Sequence, residues 1–160
     1  MNVETLMSRQ PKAVLPTDSM NHAAQLMWDH DVGSVPVVDD EQRVIGMLTD
    51  RDICMAAYTQ NRPLTDISVA EAMSRPVHAC RPTDPISKAE RLMADKQVRR
   101  LPVIDAGERL VGFVSMSDLA QEADREVPLS RKTVTADQVA ATLAATSKPR
   151  PGTALSPADN

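Results

Sequence analysis

Residues 3–53 and 69–119 are one sequence written twice, in register at a fixed offset of 66 and without a gap. Of the 51 aligned positions, 19 are identical. They include Met7-Ser8-Arg9 against Met73-Ser74-Arg75, Pro16-Thr17-Asp18 against Pro82-Thr83-Asp84, Gly46 against Gly112 and Asp52 against Asp118. Conservative exchanges such as Val38/Ile104, Leu48/Val114 and Thr49/Ser115 fill much of the rest. A duplication of this kind predicts one fold built twice about a pseudo-two-fold axis, so that any pocket in one copy has a partner in the other. A copy of about 50 residues is near the size at which a single core becomes marginal. The two copies are therefore expected to fold against each other. The expected organisation is copy 1 with its connecting loop at 1–66, copy 2 at 67–125 and a tail at 126–160.

Within each copy the pattern reads strand, helix, strand, strand, helix: an α/β (α+β) unit of β-α-β-β-α order. The leading strands are Ala13–Leu15 and Val77–Cys80. Thr17-Asp18-Ser19 and Thr83-Asp84 supply oxygen-bearing N-cap candidates. Met20, Ala23, Ala24 and Met27, and likewise Ile86, Ala89 and Met93, recur at helical spacing and predict amphipathic helices. Gly33 is expected to end the first helix in a left-handed conformation. Its counterpart Arg99 adopts that conformation less readily, so copy 2 is expected to close its turn differently. Val35–Val38 and Leu101–Ile104 each contain a proline, the mark of an edge position or an interrupted ladder. Val44–Leu48 and Leu110–Val114 are nearly all apolar, the pattern of strands buried on both faces.

Thr49 and Ser115 then open helices over Asp50–Tyr58 and Met116–Ala123. A short helix is expected before each copy, Val3–Met7 capped by Asn2 and Val69–Met73 opened by the capping-box pattern Ser68-x-x-Glu71. Thr59–Ile67 reads as the joining loop. In the tail, Thr135-x-x-Gln138 starts a helix expected to bury Val139 and Leu143 and to end at Pro149. Lys148–Asn160, with three prolines and almost no apolar content, reads as disordered.

Net charge is −4. Arg131, Lys132, Lys148 and Arg150 outweigh Glu126, Asp137 and Asp159 in the tail, so the acidity lies in the body. An acidic body with one Trp, one Tyr and one Phe lacks the basic face and stacking platforms of a nucleic-acid binder. No apolar run approaches membrane-spanning length, and the N-terminus shows neither a basic n-region nor an apolar h-region. Cys54 and Cys80, unmatched across the repeat, fit a reduced cytoplasmic setting. His22, His30 and His78 do not converge in the repeat register. No nucleophile–base–acid pattern, P-loop or metal set is present, so the chain is read as a non-enzyme.

The duplicated pattern Gly46-x-x-Thr49-x-x-Asp52 and Gly112-x-x-Ser115-x-x-Asp118 sits at a strand end and the first turn of a helix. Free N–H groups there favour an anion such as phosphate, and the Thr or Ser hydroxyl adds a donor. One turn on, the aspartate can accept bonds from the vicinal hydroxyls of a ribose. Gly46 and Gly112 leave room for close approach, and Val35-Pro36 and Leu101-Pro102 offer an apolar wall for a base. A plainer reading accounts for the same residues: Thr49 and Ser115 as N-caps, with Asp52 and Asp118 completing the cap. Arg51, and one of Arg99 and Arg100, are phosphate candidates; neighbours in a strand point opposite ways, so at most one of that pair faces the cleft. Copy 2 replaces Arg51 with Ser117, and Gly33-Ser34 with Arg99-Arg100. Two unequal sites are expected.

Both copies resemble the cystathionine-β-synthase (CBS) domain, and the pair resembles a Bateman module over roughly residues 3–122. The resemblance rests on Val35-Pro36-Val37-Val38-Asp39 followed by Ile45–Asp52, and on Leu101-Pro102-Val103-Ile104-Asp105 followed by Val111–Asp118. Thr49-Asp50-Arg51-Asp52 and Val98-Arg99-Arg100-Leu101-Pro102 are similar to stand-alone bacterial CBS-pair proteins. The resemblance implies tandem β-α-β-β-α units, often dimerised, with a regulatory role. It also implies an adenosine-containing ligand such as AMP, ADP or ATP in the cleft between repeats, no required cofactor, and a homodimer as the working form. Some relatives show no firm ligand, and for them a structural or protein-interaction role is the alternative. The candidate ligand-binding residues are Thr17, Val35, Pro36, Gly46, Thr49, Arg51 and Asp52 in copy 1. In copy 2 they are Thr83, Arg100, Leu101, Pro102, Gly112, Ser115 and Asp118.

Overall fold

The computed structural model describes residues 1–9, 11–125 and 133–148. After a short strand β1 (Ser8–Arg9), copy 1 runs α1 (Met20–Asp29), β2 (Ser34–Val38), β3 (Val44–Thr49) and α2 (Asp50–Gln60). Copy 2 repeats this as α3 (Ile86–Lys96), β4 (Arg100–Ile104), β5 (Leu110–Ser115) and α4 (Met116–Asp124), and α5 (Ala136–Thr146) follows. The strands form two antiparallel sheets, β2-β3 and β1-β5-β4, so β2 and β4 with their prolines lie at edges. The leading strands contract to single parallel bridges, Val14 to Val37 and Cys80 to Val103. β3 and β5 are buried only on alternate residues: Gly46 and Leu48, and Gly112 and Val114, are covered, whereas their neighbours are half-buried. The expectation of strands buried on both faces therefore fails: the intervening residues, Ile45 and Met47 in β3 and Val111 and Phe113 in β5, are only partly covered.

The pseudo-two-fold axis passes where the copies' hairpin turns meet. Arg43 bridges to its own counterpart Arg109. The Val44 N–H donates to the Glu108 carbonyl at 3.1 Å, and the Leu110 N–H to the Gln42 carbonyl at 3.0 Å. The copies also exchange their leading segments. Val3 is fully buried in the core of copy 2, with Met93, Leu101 and Leu119. Ile67 and Val69 are buried in the core of copy 1, with Met20, Val35 and Leu48. Equivalent bonds pin both segments: Val3 N–H to the Asp84 carbonyl at 2.9 Å, and Val69 N–H to the Asp18 carbonyl at 2.8 Å. Each core is thus incomplete without residues from the other copy.

Local signals fare unevenly. Ser19 caps α1, accepting the His22 N–H at 3.1 Å. In copy 2 the N-cap is Pro85, which has no side-chain acceptor, so Thr83-Asp84 does not cap α3. Asp84 and Asp18 instead accept the N–H groups of Arg81 and Leu15 at 2.9 and 2.7 Å, closing the preceding turn. Both first helices end alike: Asp31 (φ 51°) and Gln97 (φ 53°) take the left-handed conformation, and Val32 and Val98 N–H return to Met27 and Met93. Gly33 is therefore not the terminating residue, and copy 2 needs no separate device. The short helices are single 3₁₀ turns, Val3–Thr5 and Val69–Glu71. Ser68 and Glu71 form the expected capping box, whereas Asn2 makes no side-chain cap.

In the tail, Thr135 and Gln138 form a capping box at the start of α5, which packs on α3 and α4. Val134 is 1% exposed and belongs to the core of copy 2. The buried face of α5 carries Thr142 and Thr146, with Val139 half-buried. Leu143, expected inside, is 45% exposed. The threonines can face inward because their hydroxyls donate to carbonyls of their own helix, Gln138 at 2.9 Å and Leu143 at 3.0 Å. α5 ends at Thr146 with Ser147 as its C-cap, short of Pro149, and the expected disorder from Pro149 on lies outside the described residues.

Candidate ligand site

Each hairpin ends in a hydroxyl residue held in extended backbone, and there the chain turns into a helix. Thr49 Oγ1 accepts the Asp52 N–H at 3.1 Å. Asp52 Oδ2 accepts from the Thr49 N–H at 2.9 Å and from its hydroxyl at 2.7 Å. Ser115 and Asp118 reproduce the unit, with distances of 3.4, 2.7 and 2.7 Å. The plainer reading of the motif is thus built into both copies. It uses only Oδ2 of each aspartate; Oδ1 makes no hydrogen bond among the described residues. Both carboxylates are half-buried at the positive end of a helix.

The free N–H groups expected for a phosphate are not free in copy 1. The Thr49, Arg51 and Asp52 N–H groups all bond to side chains, the second to Asp50 Oδ1 at 2.7 Å, and the Asp50 N–H reaches the Gly33 carbonyl at 3.2 Å. An anion there would also meet the Asp50 carboxylate. In copy 2 the Ser115, Met116 and Asp118 N–H groups are likewise taken, by Asp118 Oδ2, the Arg99 carbonyl and Ser115 Oγ, but Met116 stands in place of Asp50 and no carboxylate takes the Ser117 N–H among the described residues. The two helix starts are therefore chemically unequal in a way that disfavours phosphate at copy 1.

The close approach permitted by the two glycines is made by methionines. A Cβ on Gly46 would stand 2.7 Å from Met73 Sδ; one on Gly112 would stand 2.5 Å from Met7 Sδ and 3.1 Å from the Ser8 carbonyl. Val35 and Leu101 are 1% and 0% exposed and belong to the two cores, so the apolar wall expected of them faces inward. Pro36 and Pro102 are buried too, with carbonyls that accept the Val14 and Cys80 N–H groups at 3.1 Å. Thr17 and Thr83 are exposed and make no hydrogen bond among the described residues.

Of the candidate set, Asp52 lines a cleft of about 230 Å³. Its other walls are Met55, Thr59 and Gln60 of α2, and Glu71 and Ala72 from the segment leading into copy 2. Arg62 pairs with Glu71 at 2.9 Å, and the Ser68 N–H holds the Glu71 carboxyl below its ordinary range. Arg51 is exposed beside this start of α2. The arginine pair splits as strand geometry requires. Arg99 Nη2 donates to Ser147 Oγ at 3.0 Å, while an Arg100 guanidinium nitrogen lies 3.4 Å from where a Gly33 Cβ would be. The residues that sequence reasoning left out are Met7, Met73 and Glu71. The signal for the methionines was the identity of Met-Ser-Arg in two segments lying before each copy's hairpin, whereas Glu71 was read only as part of its capping box.

Among the described residues no group of three or more His, Cys, Asp or Glu is placed to hold a metal ion, and no helix is long and apolar enough to cross a membrane. Burial pushes the Cys80 thiol up to about 12, so it stays protonated, whereas Cys54 is exposed.

Comparison with known proteins places this architecture. The chain is 42% identical over 120 residues to the CBS domain-containing protein YhcV of Bacillus subtilis, an alignment covering 74% of this chain and 83% of that one. The CBS domain pair of protein MJ0100, solved with 5′-methylthioadenosine and S-adenosyl-L-methionine, superposes with a TM-score of 0.69 at 26% identity, covering 76% of this chain and 98% of that one. CBSX2 in complex with AMP superposes with a TM-score of 0.67 at 25% identity, covering 76% and 95%. CBS pairs are typically regulatory rather than catalytic. The CBS domain family matches residues 3–58 and again residues 69–125, one match for each half of the duplication, and the chain belongs to that family as a tandem CBS pair.

Proposed function

We propose that this chain is a regulatory module that binds an adenosine-containing ligand at the junctions between its copies. The observation that carries the reading is the paired hydroxyl–aspartate unit, in which the cap consumes Oδ2 and leaves Oδ1 of Asp52 and Asp118 able to accept from ribose hydroxyls. The adenosine-type ligands named for MJ0100 and CBSX2 support the same class of ligand here. Thr49 and Ser115 position the carboxylates; Thr17, Thr83, Arg51 and Arg100 are the exposed polar groups assigned to the rest of the ligand. Any phosphate is assigned to copy 2, at Ser115–Asp118, because copy 1 has Asp50 at the corresponding helix start. A homodimer and a cytoplasmic setting belong to the same proposal, to be tested by sedimentation and by cell fractionation.

The direct test is thermal unfolding against AMP, ADP, ATP, NAD(H), S-adenosylmethionine and dinucleotide messengers. At a hundred times its dissociation constant the true ligand adds about 2.7 kcal/mol. A flat response across the panel would sink the ligand reading. The capping boxes explain all four site residues without a ligand, so a flat panel would leave a ligand-independent interaction module as the function.

A further inference from the structure

Two buried side-chain atoms have no hydrogen-bond partner among the described residues, Ser34 Oγ and Glu90 Oε1. Glu90 belongs to α3, whereas Ser34 opens β2 and is 4% exposed. Burying a hydroxyl without a partner costs free energy. The buried threonines Thr142 and Thr146 avoid that cost by donating to carbonyls of their own helix. Ser34 does not. Strand alternation fixes the side on which it stands: Val35 and Val37 lie in the core of copy 1, so Ser34 and Pro36 face the opposite way. In the β2–β3 register Ser34 is opposite Thr49, whose hydroxyl donates to Asp52 Oδ2 at 2.7 Å. The unpartnered hydroxyl therefore shares a sheet face with the hydroxyl–aspartate unit. Copy 2 closes over this edge, with an Arg100 guanidinium nitrogen 3.4 Å from where a Cβ on the adjacent Gly33 would stand.

We infer that Ser34 determines specificity at the copy 1 junction, where its hydroxyl bonds a neutral polar atom of an unphosphorylated adenosine derivative. The inference rests on the ligand reading above and divides it between the copies, a nucleoside at copy 1 and a nucleotide at copy 2. The offset of 66 carries Ser34 onto Arg100, which stands opposite Ser115 in the β4–β5 register. Arg100 is exposed and cationic, suited to a phosphate; Ser34 is buried and neutral. Charge at the helix start supports the same division. A phosphate beside Ser34 would meet Asp50 and Asp52 in the first turn of α2, with no guanidinium at that strand position to offset them. A hydroxyl can donate to a ring nitrogen, or accept from an amine or a ribose hydroxyl, and needs no countercharge. A hydroxyl kept for a ligand also has a signature that a packing residue lacks. Its removal helps the ligand-free protein and harms binding.

The test uses the full chain carrying Asp118→Asn, which removes the copy 2 aspartate, with and without Ser34→Ala. Each protein is melted without ligand and titrated calorimetrically with adenosine, 5′-methylthioadenosine and AMP. Without ligand, Ser34→Ala is expected to melt about 2–4 °C higher, because it deletes an unpartnered buried hydroxyl. It should bind adenosine and 5′-methylthioadenosine about tenfold more weakly. With Ser34 in place, adenosine should bind more tightly than AMP. Ser34→Ala that melts no higher, or that leaves adenosine binding intact, would overturn this inference alone. So would tighter binding of AMP than of adenosine, or loss of all binding with Asp118→Asn. Failure of the unaltered protein to bind any of the three would overturn the ligand reading, and this inference with it.

Discussion

Copy 1 and copy 2 make the same capping bonds at the same strand–helix junction, yet they differ in everything laid on their helices. Copy 2 carries α5, and with it a buried Glu90 on α3 whose Oε1 has no partner among the described residues. Copy 1 has Ala24 at the matching position, lining an open groove. Apolar volume and the cap geometry had to survive duplication, because each core borrows a segment from the other copy. The outer helix faces carry no such mutual constraint, and there the copies diverged.

Removing the covering element should have the largest effect. Ending the chain after Arg125 strips Val134 and the α5 face from the core of copy 2, and chemical unfolding should register a loss of about 3 kcal/mol. A loss below about 1 kcal/mol would mean that α5 is an ornament rather than part of that core. The glycines sharpen the contrast next. Gly112→Ala presses on the Ser8 backbone as well as Met7, whereas Gly46→Ala meets only the flexible Met73 side chain. The first should cost about 2 kcal/mol and the second clearly less. Equal costs would show that the exchanged segments yield equally.

The caps test what the copies share. Thr49→Ala and Ser115→Ala should each cost about 1 kcal/mol, and by similar amounts. Of the same size at pH 7, and smaller below it, is the effect of Glu90→Gln. Burial pushes the Glu90 carboxyl above its ordinary range, so the folded state holds a proton that the unfolded chain releases from about pH 4.5 upward. Stability is therefore lost as pH rises through that window. The substitution should add roughly 1 kcal/mol at pH 7 and a shrinking amount toward pH 4. A pH-independent difference would remove Glu90 as its cause.

Much of this fold can be read from the chain alone, because its strongest signals are local and doubled. The helical stripes, the proline-bearing edge strands and the capping boxes at Ser68 and Thr135 all involve residues within a few positions of one another. Contacts of Met7 with Gly112 and Met73 with Gly46 join distant segments, and no periodicity announces them. Leu143 misled for a different reason: hydropathy ranks it above Thr142 and Thr146, but helical threonines hide their own hydroxyls. At the strand–helix junctions, the Thr-x-x-Asp and Ser-x-x-Asp spacings announced the capping bonds of Thr49, Asp52, Ser115 and Asp118, which any ligand role would have to share. The geometry gives Oδ2 of each aspartate to the cap and leaves Oδ1 without a hydrogen bond among the described residues, the oxygen that the proposal assigns to a ligand.

That division can be tested directly. Asp52→Asn and Asp118→Asn each keep a side-chain oxygen for the cap but replace the second acceptor with a donor. Calorimetric titration of the two variants and the double variant, with whichever adenosine compound stabilises the unaltered protein, should show near-native melting with binding lost site by site. The account predicts that a phosphate-bearing ligand loses more affinity from Asp118→Asn than from Asp52→Asn. Full binding by the double variant would contradict it, because the aspartates would then be caps and nothing more.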